Sequence, residues 1–475
     1  MYNKHKSLEK RCLMKKVLWS FIFILSVILF PLSNASAANN EQQLVEEIKE
    51  IITENYVGKV NGNLHNAKTI SEIINMLDPY STYFTKQEFE EFMNSINMST
   101  IGIGVVIEEH DDGIHILQVI EESGAAEAGV VAGDIIIGIN GQSIVDSSTQ
   151  EASSLLIGNE GTDVQVKLLH ENGTTSTKTI TRKKFTLPNV ESALLFGDVG
   201  YIAMSSFSED GAQLVKDALT QLKQRGATSF ILDLQNNGGG YVATAEQLTG
   251  LFPKAKIAYL LQEAHASYEV RAAQQNMKFP TDTRILVNRY SASASEMLAA
   301  SLQDQQSAIL YGETTYGKGA MQGFFELHDG SYLKLTVGKF TGPAGQTINE
   351  VGVKPTIQTK TAPLFQAHYD AIKAQYKEYQ ELVSLKNVPS TKTFVVKFSQ
   401  AFSSPIPEGS VQLVALGGDE IPITTKVGKD NSLLVTPKNP LGKGQEYMLL
   451  VHPTIQKPTG DKLQKGIYLH IAVTN

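Results

Sequence analysis

The chain has 475 residues, 42% hydrophobic and 19% charged, the make-up of folded globular protein and length enough for three or four domains. Its net charge of −8 argues against nucleic acid or anionic membrane surfaces as partners. Ten scattered histidines and one cysteine, Cys12, lack the spacing of a ligand cluster, so no metal or cofactor is expected.

Residues 1–37 stand apart as a signal peptide. Lys4, Lys6, Lys10, Arg11, Lys15 and Lys16 precede an apolar run over residues 17–32, and Ala35-Ser36-Ala37 offers a cleavage site. The run is short for a retained membrane anchor. Losing six Lys/Arg and Glu9 would take the net charge from −8 to −13 and remove Cys12 and Trp19. The expected product is secreted or otherwise extracytoplasmic, without disulfides and without a stable membrane span; cell-surface association stays open.

Residues 38–95 read as a helical region. Leu44, Ile48, Ile51 and Ile52 make one apolar stripe, and Ile70, Ile73, Ile74 and Leu77 another. Such a lead serves either to cover the core or to pair with a second copy of the chain as a homodimer.

From residue 96 to 183 the pattern shifts to short strands. Gly102-Ile103-Gly104 opens one, residues 114–120 form another, and residues 135–139 run into an Asn140-Gly141 hairpin signal. This order resembles a PDZ domain of the bacterial protease type. The resemblance implies that Gly102, Ile103 and Gly104 supply backbone N–H groups to a peptide's C-terminal carboxylate while the next strand adds the peptide at its edge.

Residues 184–387 alternate strands and helices, the βαβ spacing of a covered α/β sheet with its site at strand ends. Residues 199–204 and 230–234 are strands, and a helix between them carries Leu214, Val215, Ala218, Leu219 and Leu222. Gly238-Gly239-Gly240 then lets main chain approach a substrate closely. Residues 364–387 read as a polar helix.

The informative stretch is Ser291-Ala292-Ser293-Ala294-Ser295-Glu296, lying between an apolar strand at 285–287 and a helix carrying Met297, Leu298 and Leu302. A serine there faces free N–H groups and the positive end of the helix dipole. A second strand, residues 308–311, leads to Lys318 between Gly317 and Gly319. Serine with a lysine base is an established alternative to Ser-His-Asp. Taken singly, the serine run is an ordinary helix cap and the lysine an ordinary turn. Gly312 to Gly317-Lys318 also copies most of a phosphate loop, but Gly319 stands where that loop needs Ser or Thr. His328, beside Asp329 in an expected turn, is better explained as surface than as a triad histidine.

Together these segments resemble the C-terminal processing peptidases, whose pattern runs N-x-x-S-A-S-A-S-E, then G-E-x-T-x-G-K-G and a glutamine four residues after the lysine. Here these are Asn288 with Ser291-Ala292-Ser293-Ala294-Ser295-Glu296, then Gly312-Glu313-Thr314-Thr315-Tyr316-Gly317-Lys318-Gly319, and Gln322. Leu77-Asp78-Pro79-Tyr80-Ser81, Asp233-Leu234-Gln235-Asn236-Asn237-Gly238-Gly239-Gly240 and Gly342-Pro343-Ala344-Gly345-Gln346-Thr347-Ile348 extend the resemblance over roughly residues 41–380. It implies a crotonase-like α/β peptidase core with Ser293 as nucleophile, Lys318 as general base and Gln322 orienting the lysine. The N–H groups of Ala294 and Gly239 are the implied oxyanion donors.

Three departures stand out. Gln235 and Gly238 replace the family's arginine and proline beside the glycine turn, Tyr80 replaces a histidine, and Ile157 stands where many relatives carry a PDZ arginine able to report peptide binding. None removes Ser293, Lys318 or Gln322; the last makes a peptide-gated switch weak.

Residues 388–475 are all-β by pattern, with turns at Gly417-Gly418 and near residues 428–432. They loosely resemble Ig-like modules of bacterial surface proteins, through Phe398-Ser399 followed by Pro405 and Pro407, and through residues 440–447. The expectation is thus a multidomain α/β protein with a C-terminal Ig-like sandwich, acting as a serine endopeptidase on protein substrates with accessible C-terminal tails. The competing reading is a PDZ and Ig-like surface adaptor whose core has lost activity; the complete Ser/Lys/Gln set argues against it.

Overall fold

A computed structural model describes residues 36–359 and 362–474, so residues 1–35 of the expected leader lie outside the described residues. The core is a six-stranded sheet in the order Val190–Leu195, Val199–Met204, Ser229–Asp233, Arg284–Val287, Ile309–Gly312, Ile357–Gln358. The first pair is antiparallel and the rest are parallel. Ser229–Asp233 and Arg284–Val287 are buried along their whole length, which is why residues 230–232 and 285–287 are apolar without alternation.

Alternation along these strands divides the core between two faces. Phe230, Leu232, Ile285 and Val287 face the helices Gly211–Gln224, Val242–Thr249 and Ala294–Asp304. Ile231, Leu286 and Tyr311 face Ala367 and Ala371 of the helix Pro363–Gln375. The glycine turn, the serine run and the lysine loop all come after the carboxyl ends of parallel strands, where open α/β sheets place their sites.

A second sheet, antiparallel, joins Thr82–Phe84, Tyr332–Thr341, Ile257–Glu263 and Ser267–Arg271, with Ala320–Glu326 also paired to Tyr332–Thr341. The N-terminal region covers it: Leu44, Val45, Ile48, Ile52, Ile73 and Leu77 bury against Leu327, Leu333 and Leu335. This region is not continuous helix. It breaks into Ser36–Asn55, a 3₁₀ turn, Ile70–Ile74, the strand Thr82–Phe84 and Lys86–Ile96.

The PDZ region is a six-stranded sheet carried on a ribbon of two antiparallel strands, Ser99–Gly102 and Lys183–Thr186. Its core holds Ile114, Ile116, Ile136, Val164, Val166 and Ile180. Just before the ribbon the chain is anchored to the peptidase core, because Ser206 Oγ donates to the Ile96 carbonyl at 2.6 Å and Asn97 Nδ2 to the Tyr241 hydroxyl at 3.3 Å.

The helix expected over residues 364–387 is corrected in length and character. It runs Pro363–Gln375 and is largely buried, since Phe365, Tyr369 and Ile372 on its outer face meet Val414, Leu416, Met448, Leu450 and Tyr468. The remainder forms strands Gln380–Glu381 and Leu385–Val388, which pair in parallel with Ile467–Val473. The C-terminal unit therefore begins ahead of residue 388. It comprises that six-stranded sheet and a three-stranded one, Phe394–Lys397, Ser432–Pro437 and Ile423–Val427.

His368 fastens this junction. Its Nε2 donates to the Phe196 carbonyl at 2.9 Å and its Nδ1 accepts from the Gly417 N–H at 2.8 Å. Burial holds the imidazole neutral and pushes its pKa down from 6.5 to about 4. A depressed folded-state pKa gives stability that is complete above pH 6.5 and lost as pH falls toward 4. Between pH 7 and 4.5 the wild type should therefore lose about 2 kcal/mol more than His368→Asn, which does not titrate. Urea unfolding of the two proteins at both pH values measures the difference.

Candidate active site

The strand Arg284–Val287 ends in a turn that leads to Ser293 at the start of the helix Ala294–Asp304. Ser293 has φ 55° and ψ −114°, a backbone conformation non-glycine residues avoid unless their surroundings impose it. The three serines of the run divide by their partners. Ser291 Oγ donates to the Leu234 carbonyl and Ser295 Oγ to the Asn237 carbonyl, each at 2.8 Å, and both side chains are buried. They tie the serine turn to the glycine turn, and Asn236 and Asn288 add a reciprocal pair of bonds between the same two turns. Ser293 alone of the three is partly exposed.

The glycine turn packs directly on that serine. Gly239 has φ 103°, and a Cβ there would lie 2.9 Å from Ser293 Cβ and 3.0 Å from the Ala294 nitrogen. Only glycine fits. Of the two expected oxyanion donors, Ala294 presents an N–H with no acceptor among the described residues, as the first residue of a helix does. The Gly239 N–H instead donates to Asn237 Oδ1 at 2.9 Å. That bond must be exchanged before Gly239 can receive an oxyanion.

Lys318 arrives from the loop between Ile309–Gly312 and Ala320–Glu326. The element after it is thus a strand, where a phosphate loop requires a helix. Burial pushes its pKa from 10.5 down to about 8; the Lys334 ammonium adds to the shift, and Glu296 and Asp78 oppose it. Its Nζ lies 5.1 Å from the centre of the Tyr80 ring. Tyr80 is presented by a turn that Asp78 closes, since Asp78 Oδ1 accepts the N–H groups of Tyr80 and Ser81. Ser81 Oγ in turn accepts the Thr336 N–H. Gln322 lies opposite Thr336 across a β-bulge and donates weakly to its hydroxyl at 3.4 Å.

Among the described residues no hydrogen bond joins Ser293 to Lys318, or Lys318 to Gln322. Catalytic hydrogen bonds are often long or unformed without substrate and tighten in the complex. What joins the elements is Glu296, fully buried. Its Oε1 accepts from the Thr315 hydroxyl and the Gly317 N–H, both at 2.6 Å. Its Oε2 accepts from the N–H groups of Ser293 at 2.9 Å and Lys318 at 2.7 Å.

Sequence reasoning assigned no role to Glu296, Lys334 or Thr336. Ser293-x-x-Glu296 carries the spacing of a helix capping box, a signal for the first of these. Lys334 and Thr336 come from a distant strand and leave no local signal. His328 sits on the surface, bonded to Glu47. Among the described residues no group of three or more His, Cys, Asp or Glu is placed to hold a metal ion, and no helix is long and apolar enough to cross a membrane.

In the PDZ region the carbonyls of Ile103 and Gly104 turn inward, accepting from Ala125 and Ile120, while their N–H groups have no acceptor among the described residues. The next strand, Val105–His110, pairs on one side only, and the helix Thr149–Leu156 is tied to it by the bond from Thr149 N–H to Glu109 Oε1. Arg182, another residue without a sequence signal, caps the far end of that helix by donating to the carbonyls of Leu155 and Leu156. Ile157, next along, is exposed.

Comparison with known proteins fits this geometry. Peptidase family S41 matches residues 198–359 and the PDZ domain family matches residues 115–169. The carboxy-terminal processing protease CtpA of Bacillus subtilis is 34% identical over 329 residues, 69% of this chain and 71% of that protein. A probable CtpA-like serine protease of Staphylococcus aureus is 31% identical over 356 residues, 74% of this chain and 68% of its own. Among solved structures, a photosystem II D1 C-terminal processing protease aligns with 25% identity and a TM-score of 0.45, over 70% of this chain and 96% of its own. With a relative at this identity covered over more than two thirds of its length, and the serine run and the lysine loop falling inside the matched residues, the chain belongs to peptidase family S41 and is a serine-type peptidase carrying a PDZ domain.

Proposed function

We propose that the protein is an exported endopeptidase that holds the C-terminal tail of a protein substrate in its PDZ domain and cleaves with a Ser293–Lys318 dyad. Ser293 Oγ attacks the scissile carbonyl carbon as its proton passes to neutral Lys318 Nζ. The lysine then gives that proton to the leaving amine; a water attacks the acyl-enzyme with Lys318 again taking the proton, which it returns to Ser293 Oγ as the acyl–oxygen bond breaks and the product acid leaves. Gln322 orients the lysine amine. Ala294 N–H receives the oxyanion, joined by Gly239 once its bond to Asn237 is exchanged.

The observation that carries this reading is a half-buried lysine, its pKa pushed down to about 8, tied by one carboxylate to the turn of Ser293, the one partly exposed serine of its run. The name of the Bacillus subtilis relative as a carboxy-terminal processing protease supports the tail-directed substrate class. Export is supported by the basic and apolar leader with its Ala35-Ser36-Ala37 site. The two-sheet C-terminal unit suits an Ig-like module.

Ser293→Ala should abolish peptide hydrolysis with unchanged melting, a loss of several orders of magnitude, while Ser291→Ala and Ser295→Ala keep measurable turnover. Wild-type melting with an inactive Ser295→Ala and an active Ser293→Ala would reassign the nucleophile.

The base works only when neutral, so kcat/KM should rise with pH along a limb near pH 8. Lys334→Met removes a like charge facing Lys318; the lysine then holds its proton more tightly and the limb moves to higher pH. The opposing neighbours, Glu296 and Asp78, stay in place, as does the Tyr80 ring. A pH series of kcat/KM on both proteins reads the shift.

Peptides ending in a free apolar residue should bind the full chain, with Ser293→Ala used to prevent turnover. Amidating the peptide end should weaken binding, because an amide cannot replace charge-assisted bonds from Ile103 and Gly104 N–H groups. Calorimetry with the paired peptides tests this; equal affinity excludes carboxylate capture.

A further inference from the structure

We propose that Glu296 is a positioning residue for peptide hydrolysis: its buried carboxylate holds the main chain of Ser293 and of Lys318 on one oxygen and so fixes where the hydroxyl meets the amine. The proposal rests on the Ser293–Lys318 reading above.

Four observations carry it. The side chain is wholly buried, and both oxygens are used, with two donors each at 2.6–2.9 Å. A buried carboxylate is retained only where such bonds replace its hydration, so its geometry is specified closely. Its donors come from two turns that are 22 residues apart in sequence, and two of them are the backbones of the proposed nucleophile and base. Finally, the Ser293 N–H that it binds belongs to the residue with φ 55°, so the same bond helps hold a conformation the serine would otherwise leave.

A helix cap alone explains less. Capping the helix Ala294–Asp304 needs only the bond to Ser293 N–H. The other three donors, Thr315, Gly317 and Lys318, belong to the lysine loop and contribute nothing to that helix end. Thr315 Oγ1 is itself fixed, accepting the Val353 N–H at 2.7 Å, so the clamp extends into the segment behind the loop. Glycine flanks Lys318 on both sides, and such a loop has little stiffness of its own; the Gly317 and Gly319 carbonyls accept from the Glu350 and Phe340 N–H groups, and the carboxylate fixes the N–H groups of Gly317 and Lys318.

The charge has a second consequence. Lys318 is faced by Lys334, Glu296, Asp78 and the ring of Tyr80, and Glu296 is one of the two groups that favour its protonated form. Removing that charge therefore moves the acid limb of activity to lower pH, whereas removing only the geometry leaves the limb in place.

The experiment compares kcat and KM across pH for the purified full chain, Glu296→Gln, Glu296→Asp and Ser293→Ala, with melting recorded for each. Glu296→Gln keeps the shape but replaces one oxygen by an NH2, which, whichever way the amide turns, meets two donors, Thr315 and Gly317 or Ser293 and Lys318. We expect its kcat to fall about 10²-fold with KM within about threefold of wild type, and its limb to move to lower pH. Glu296→Asp keeps the charge but is one methylene short; kcat should fall comparably with the limb unmoved. A folded Glu296→Gln with wild-type kcat and limb overturns the proposal. So does a kcat loss that matches the unfolded fraction while the limb stays fixed. Should Glu296→Gln fail to fold, Glu296→Asp decides: kcat within about twofold of wild type overturns the proposal, and a larger loss at an unmoved limb supports it. Cleavage by Ser293→Ala would instead sink the nucleophile reading, and this proposal with it, whatever the glutamate variants do.

Discussion

One buried carboxylate, that of Glu296, stands between the two turns on which the chemistry depends. The parallel sheet delivers those turns to the same edge, where the Tyr316 N–H also donates to the Ser291 carbonyl at 3.0 Å. Strand spacing fixes their separation to a few ångströms; it does not fix the direction in which a loop of Gly317, Lys318 and Gly319 points. Four hydrogen bonds to one side chain do. The cost of burying the charge is offset by those donors, so the arrangement is stable only when both turns are in place.

The base is set by a different layer. The antiparallel sheet brings Lys334 beside Lys318 and Thr336 beside Gln322, and the Asp78 turn sets Tyr80 against the lysine from the N-terminal side. The N-terminal helices hold that sheet by burying Leu44, Ile48 and Ile73 on it. Segments far from Ser293 in sequence thus decide how readily Lys318 gives up its proton, while the serine itself is shaped by its immediate turn.

Much of this was legible in the sequence, for reasons particular residues make plain. Phe230 to Asp233 read as a buried strand because both of its faces meet helices. The serine run read as a strand-to-helix turn because apolar residues change period across it. The choice among Ser291, Ser293 and Ser295 came from a family pattern; in structural terms it depends on the carbonyls of Leu234 and Asn237, which lie 57 and 58 residues away from the serines they bind. Nor could spacing show that the Gly239 N–H is already taken by Asn237, since that is a matter of one peptide plane. The strand Thr82–Phe84 was missed because three residues carry no periodicity and are held by Tyr332–Thr341 from another part of the chain. The segment after Pro363 looked polar because an outer apolar face made of Phe365, Tyr369 and Ile372 is sparse when read linearly.

That last helix bears on how separable the C-terminal sheets are. Pro363–Gln375 lies between two sheets, with Ala367 and Ala371 against the peptidase core and Phe365, Tyr369 and Ile372 against the C-terminal sheet. An appended module normally meets its host across a thin, polar seam and can be exchanged or lost. Here the seam is a shared layer, and the strands Gln380–Glu381 and Leu385–Val388 stitch it to the terminal strand Ile467–Val473. Inheritance of the catalytic unit without the C-terminal one would uncover aromatic surface on the back of the core sheet. The two units are therefore bound to diverge together, substitution by substitution, along that helix.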